Sequence, residues 1–228
     1  MGITVGFDLD MTLIDSRPGM LVAMNRLGEE SGLPLDGVHF AANLGPPLDD
    51  SLRGYGAPEE RIPELITRFR GFYPDVVVPV TLALPGAAAA LRAVRQAGGR
   101  TLVVTGKYGP NAQLHVDALG LEVDELVGEQ WSTGKAVSLL EHGAVAYVGD
   151  HRGDIRGAKA AGALAVGVTT GPCSRAELEA EGADVVFDSL EEFPDWFASV
   201  PPASPPPRSM EALRARSSSY GELRGPAR

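Results

Sequence analysis

The stretch VGFDLDMTLIDS, residues 5–16, places Asp8 and Asp10 directly after a β-branched and aromatic run at residues 3–7. A run of that kind reads as a buried strand. The pattern returns in AYVGDHRGD, residues 146–154, where the apolar run 145–148 leads into Asp150 and Asp154. As strands of one open α/β sheet, the two runs would bring all four carboxylates to the edge where such sheets hold ligands. Crowded carboxylates repel one another unless a cation sits among them, and oxygen donors suit a hard divalent ion. A catalytic magnesium centre is therefore the first expectation.

Outward from these stretches the periodicity changes. Residues 16–74 contain no convincing strand, and helices are expected at 18–30, 37–43, 47–53 and 58–72. Leu21, Met24 and Leu27, then Ile62, Leu65, Ile66 and Phe69, recur at helical spacing, with Pro18 and Pro58 in first-turn positions. From Pro85 onward helices (86–97, 110–119, 133–142, 153–162, 174–181, 189–198) alternate with strands (100–105, 126–127, 145–148, 164–168, 184–187). That alternation means parallel strands joined by crossover helices. The expected fold is α/β: a Rossmann-like parallel sheet flanked by helices, with a small helical insert, which the family resemblance given below makes an inserted α-helical cap. The core is expected at 1–14 and 82–198 and the cap at 15–81. The Pro-, Ser- and Arg-rich residues 199–228 are expected to be a disordered tail.

At 228 residues and 44% hydrophobic content, the chain can bury a sizeable core. A formal net charge of −10 argues against broad binding to nucleic acid or an anionic membrane. The tail, with five arginines against two glutamates, leaves the rest more acidic still. Cys173 is the only cysteine, which suits a reducing compartment and reads as a small half-buried side chain. No apolar run has membrane-spanning length, so a cytoplasmic protein is expected. His39, His115, His142 and His151 show no ligand spacing and read as surface residues. Gly106-Lys107 lacks the spacing of a Walker-type loop.

Asp8-Leu9-Asp10-Met11-Thr12, Thr105, Lys135 and Gly149-Asp150 with Asp154 resemble, in order and in strand-end position, the four motifs of the haloacid dehalogenase-like hydrolase superfamily. The resemblance covers about residues 3–198 and is closest to phosphoglycolate phosphatase-type members with a helical cap. It implies a phosphatase acting on a small phosphorylated metabolite, with Asp8 as nucleophile and Asp10 as general acid and base. Mg2+ would be held by Asp8, the Asp10 main-chain carbonyl and Asp150. Asp154 would ligate directly, orient metal-bound water, or simply suit the first turn of the following helix. Thr105 would donate to phosphoryl oxygens, and Lys135 would offset the charge on Asp8 and the phosphoryl group. Thr12, Arg17, Gly45, Gly106 and Lys107 complete the candidate substrate contacts. Asn43 and Arg53 belong with them in the cap, and LGPPL (44–48) resembles a cap loop that dips toward substrate.

Three departures stand out. Met11 and Gly106 occupy positions where the family commonly has glycine and asparagine, and Ala136 stands where many relatives have proline. They bear on substrate choice more than on reaction type. A sugar phosphomutase using the same aspartyl phosphate, and an inactive metal-bound interaction domain, are the competing readings. Oligomeric state is not fixed by the sequence.

Overall fold

The computed structural model describes residues 2–199. Its strands are β1 (Thr4–Phe7), β2 (Ile14–Asp15), β3 (Leu82–Ala83), β4 (Arg100–Val104), β5 (Glu125–Val127), β6 (Ala144–Gly149), β7 (Leu164–Val168) and β8 (Val185–Phe187). Six of them form one parallel sheet in the order β5-β4-β1-β6-β7-β8. The helices are α1 (Arg17–Ser31), α2 (Gly37–Ala42), α3 (Leu48–Gly54), α4 (Ile62–Val76) and α5 (Ala87–Gln96). They continue with α6 (Gly109–Leu119), α7 (Lys135–Glu141), α8 (Arg152–Ala161), α9 (Arg175–Ala180) and α10 (Phe193–Ser199). This is the parallel α/β sheet that the alternation predicts, with the helical cap that the resemblance implies.

The period-two rule assigns the sheet residues to two faces. Val5, Phe7 and Val103 pack with Ala90, Leu91, Val94, Val116 and Phe193 of α5, α6 and α10. Leu102, Val104 and Tyr147 pack on the other side with Leu139, Ile155 and Leu178 of α7, α8 and α9. Helices α1 to α4 bury a third cluster of their own, centred on Met24, Leu27, Leu52, Leu65 and Phe69. Each helix turns its apolar stripe onto its neighbours, so this layer closes without help from the sheet.

Two differences from the expected elements have simple causes. The predicted helix 58–72 begins as a 3-10 turn at Glu59–Arg61; the α-helix starts at Ile62, takes Pro63 in its first turn and runs through Pro74 to Val76. The unpredicted β2 and β3 pair antiparallel, Ile14 with Ala83 and Asp15 with Leu82. Two residues each are too few to show a period, yet this ribbon holds the chain leaving the sheet beside the chain returning to it. Of the tail expected at 199–228, Ser199 ends α10, and residues 200–228 lie outside those described, as does Met1.

Candidate active site

The three central strands set the site. Phe7 of β1 lies between Val103 of β4 and Val148 of β6, so Asp8, Thr105 and Asp150 leave the sheet side by side at its C-terminal edge. The Asp8 amide donates to Val148 O at 2.8 Å, extending the ladder by one residue. Strand pairing therefore collects groups that are far apart in sequence.

Lys135 is fully buried at the start of α7. Its Nζ donates to Asp154 Oδ1 at 2.6 Å and to the Tyr147 hydroxyl at 2.8 Å, and lies 3.1 Å from Asp8 Oδ1. The Asp8 contact is an ion pair without hydrogen-bond direction, and Asp8 Oδ1 is buried with no hydrogen-bond partner. Gly6 makes the arrangement fit, because a Cβ there would come within 2.7 Å of the Tyr147 ring. That ring crosses over β1 and places its hydroxyl between Lys135 and the Val104 carbonyl. Burial tends to depress the Lys135 pKa, but Asp154 and Asp8 outweigh it and raise the value.

Asp154 is fully buried and both its oxygens carry donors: Lys135 on Oδ1, and the His151 amide on Oδ2 at 2.9 Å. The second bond completes a capping box at the start of α8, in which His151 Nδ1 accepts from the Gly153 amide at 3.0 Å. Gly149 is required by this turn, since a Cβ on it would lie 2.3 Å from the Asp154 side chain. Asp150 accepts from Thr12 Oγ1 at 2.8 Å and is pressed against Gly171. Thr12 thus fixes an acid; it does not line the cavity.

Burial pushes the Asp8 carboxyl up to about 7 despite the downward pull of Lys135. Asp150 is raised well above the carboxylate range by burial, then by Asp154 and Asp8. One oxygen each from Asp8, Asp150 and Asp154 lie within 4.8 Å of one another. Three buried acids against one lysine, with an oxygen of Asp8 left without a donor, are a donor set that fits a hard divalent cation. The open oxygen belongs to Asp8, whereas those of Asp154 are occupied.

Asp10 stands outside this group and is held separately. Ser16 Oγ donates to its Oδ1 at 2.5 Å, and Lys107 Nζ lies 3.0 Å from its Oδ2. Ser16 occupies the N-cap of α1 but makes no capping bond; its hydroxyl is diverted to Asp10. Lys107 is not the solvent-exposed lysine its position allowed, having a side chain only 5% exposed. It also donates to the Tyr73 hydroxyl of α4 at 2.6 Å, which in turn is 2.8 Å from His115 Nε2 of α6. Burial would lower the Lys107 pKa, but Asp10 and Tyr73 raise it. His115, read from the sequence as a surface residue, is fully buried, and burial lowers its pKa to about 4.

A cavity of 310 Å3 opens between the cap helices and the sheet edge, lined by Asp10, Gly45, Gly106 and Lys107 among others. Gly106 explains one departure from the family pattern: a Cβ there would meet the Gly45 carbonyl at 2.9 Å, so the LGPPL loop comes closer than asparagine would allow. Of the other two, nothing in the structure explains Ala136, and Met11 shows only why glycine is common at its position. It holds φ 57°, the left-handed conformation that favours glycine, with its side chain buried. Arg17 is corrected: it is exposed and forks onto Asp15 at 2.9 and 2.6 Å, and it does not line the cavity. Arg53 pairs with Asp49, Asp50 and Glu59, and the Asn43 amide donates to His39 O. Tyr73, Tyr147 and Ser16 are the participants that sequence reasoning missed.

A family profile for haloacid dehalogenase-like hydrolases matches residues 5–159, and a second, for HAD-hydrolase-like proteins, matches 130–193. The chain belongs to the haloacid dehalogenase-like hydrolase family. Among curated relatives, it is 28% identical to a phosphoglycolate phosphatase of Caulobacter vibrioides, over 91% of this chain and 96% of that one. It is 26% identical to the phosphoglycolate phosphatase of Escherichia coli, over 82% of this chain and 89% of that one. A haloacid dehalogenase-like family hydrolase from Streptococcus pneumoniae superposes with a TM-score of 0.75 at 22% identity, covering 86% of this chain and 98% of that one. A hydrolase from Pseudomonas syringae gives 0.69 at 20% identity, covering 87% and 99%. These two likenesses establish the shared fold. Among the described residues no helix is long and apolar enough to cross a membrane.

Proposed function

We propose that the protein is a magnesium-dependent phosphatase of small phosphomonoesters, acting through an aspartyl phosphate on Asp8. The supporting observation is the buried Asp8 carboxyl, whose Oδ1 is ion-paired with Lys135 but accepts no hydrogen bond, clustered with Asp150 and Asp154. An Asp8 oxygen attacks phosphorus while the bond to the leaving oxygen breaks, and Asp10 gives that oxygen its proton. Asp10 then takes a proton from water as the water oxygen attacks phosphorus, the bond to Asp8 breaks and inorganic phosphate leaves. Lys135 offsets the charge on Asp8 and the transferring group, held in place by Asp154 and Tyr147. Thr105 and the amides after it donate to phosphoryl oxygens.

Asp8, Asp150 and the Asp10 main-chain carbonyl would hold the ion, with Asp154 acting on Lys135 and the outer shell. Bound Mg2+ supplies relief of repulsion between Asp8 and the incoming phosphoryl group and stabilises transition-state charge. Residues 15–81 serve as the cap, excluding water over a core formed by 1–14 and 82–198. The substrate is a small phosphorylated metabolite, with 2-phosphoglycolate a candidate from the names of the relatives. The lone cysteine suits work in the cytoplasm.

A phosphate-release screen over small phosphomonoesters with magnesium, repeated with chelator, tests the reading. Release that stops on chelation is expected. Turnover that ignores the chelator would remove the role given to the acids, and conversion of a sugar phosphate without free phosphate would mark a mutase.

A further inference from the structure

The cavity beside Asp10 carries information about the alcohol part of the ester. Its wall is largely apolar, formed by Phe40, Leu44, Leu48, Ile66 and Phe69 of the cap. Every charged side chain lining it already has an opposite partner. Asp10 pairs with Lys107, Asp49 with Arg53 at 2.7 Å, and Arg70 with Glu129 at 3.1 Å. The side-chain groups left for recognition are neutral: the Tyr108 hydroxyl and the Asn111 amide.

The Arg70–Glu129 pair is set up with care. Arg70 stacks 3.5 Å over the Tyr108 ring, which fixes the plane of its guanidinium. Glu129 reaches it from a backbone at φ 58°, a conformation a non-glycine residue adopts only when its surroundings hold it there. Its amide donates to Lys107 O at 2.9 Å, tying this loop to the loop that carries Lys107. Arg70 and Lys107 are the cavity's two cations, and a carboxylate on the leaving group would have to displace Glu129 or compete with Asp10 to reach either one.

We infer that the site takes the phosphate monoester of an uncharged, largely apolar alcohol, and that Glu129 excludes esters whose alcohol bears a carboxylate by occupying Arg70. This rests on the phosphatase reading above but departs from the substrate in the relatives' names.

The test compares benzyl phosphate with 2-phosphoglycolate, using turnover on the full chain and calorimetric binding to the Asp8→Asn protein, both with magnesium. We expect kcat/KM and affinity to favour benzyl phosphate by about tenfold or more, the worth of ~1.4 kcal/mol. Equal or better use of 2-phosphoglycolate would overturn the inference and leave the phosphatase reading standing. The binding preference without any phosphate release would do the reverse. In Glu129→Gln, whose side chain is 59% exposed, the 2-phosphoglycolate to benzyl phosphate ratio should rise about fivefold or more, because Arg70 is freed; an unchanged ratio would overturn the role of Glu129.

Discussion

As the proposed nucleophile, Asp8 carries two opposed demands: it must be ionised to attack, while burial resists ionisation. Its carboxyl, raised to about 7 from an ordinary 3.8, binds a proton more tightly in the folded protein than in the unfolded chain. Its contribution to metal-free stability is therefore full below pH about 4 and lost as pH rises toward about 7. Asp8→Asn should consequently raise the melting temperature of the metal-free protein relative to wild type above pH 7, with the advantage fading toward pH 4. Magnesium should reverse the order at pH 8, because only the wild type keeps the Asp8 carboxylate. Differential scanning calorimetry in chelator and in magnesium checks both; parallel pH profiles for the two proteins would show that Asp8 is not strained. Lys135→Met leaves Asp8 and Asp154 buried without their cation, and should cost about 3–5 kcal/mol in denaturant unfolding. A loss under 1 kcal/mol would mean the lysine does not neutralise them.

At the scale of elements, close approaches position the acids. Gly171 follows β7, and a Cβ there would lie 1.8 Å from Asp150 Oδ2. Gly171→Ala should therefore push Asp150 aside and raise the magnesium concentration for half-maximal activity about tenfold or more; an unchanged requirement would free Asp150 of its metal role. Tyr73 links α4 of the cap to Lys107 and to His115 of α6. Tyr73→Phe should cost about 1–3 kcal/mol by leaving buried polar groups short of a partner, as equilibrium unfolding would record. The acids and Lys135 were legible because each follows a strand run or opens a helix in a motif. Tyr73 was not, since it sits 42 residues from His115 and its helical spacing reads as plain apolar packing. Arg17 shows the converse: nearness to Asp10 in sequence does not fix where a long side chain points, and Asp15 holds it.

Across the whole molecule, the parallel order β5-β4-β1-β6-β7-β8 does what no single motif can, bringing residues 8, 105, 135, 150 and 154 to one end of the sheet. That order was legible from helix and strand alternation, whereas β2 and β3 were too short to read. The cap has its own core, and it meets the sheet edge at Gly45 against Gly106 and at Tyr73 on Lys107. The cavity between them is thereby built from two parts of the chain. The most direct measurement follows a radiolabelled phosphoryl group from 4-nitrophenyl phosphate in the Asp10→Asn protein, where the good leaving group needs no acid and the base for the second step is missing. With magnesium, acid-stable and hydroxylamine-labile label should accumulate on the peptide containing Asp8. Label on another residue, or phosphate released with no protein-bound label, would contradict nucleophilic attack by Asp8.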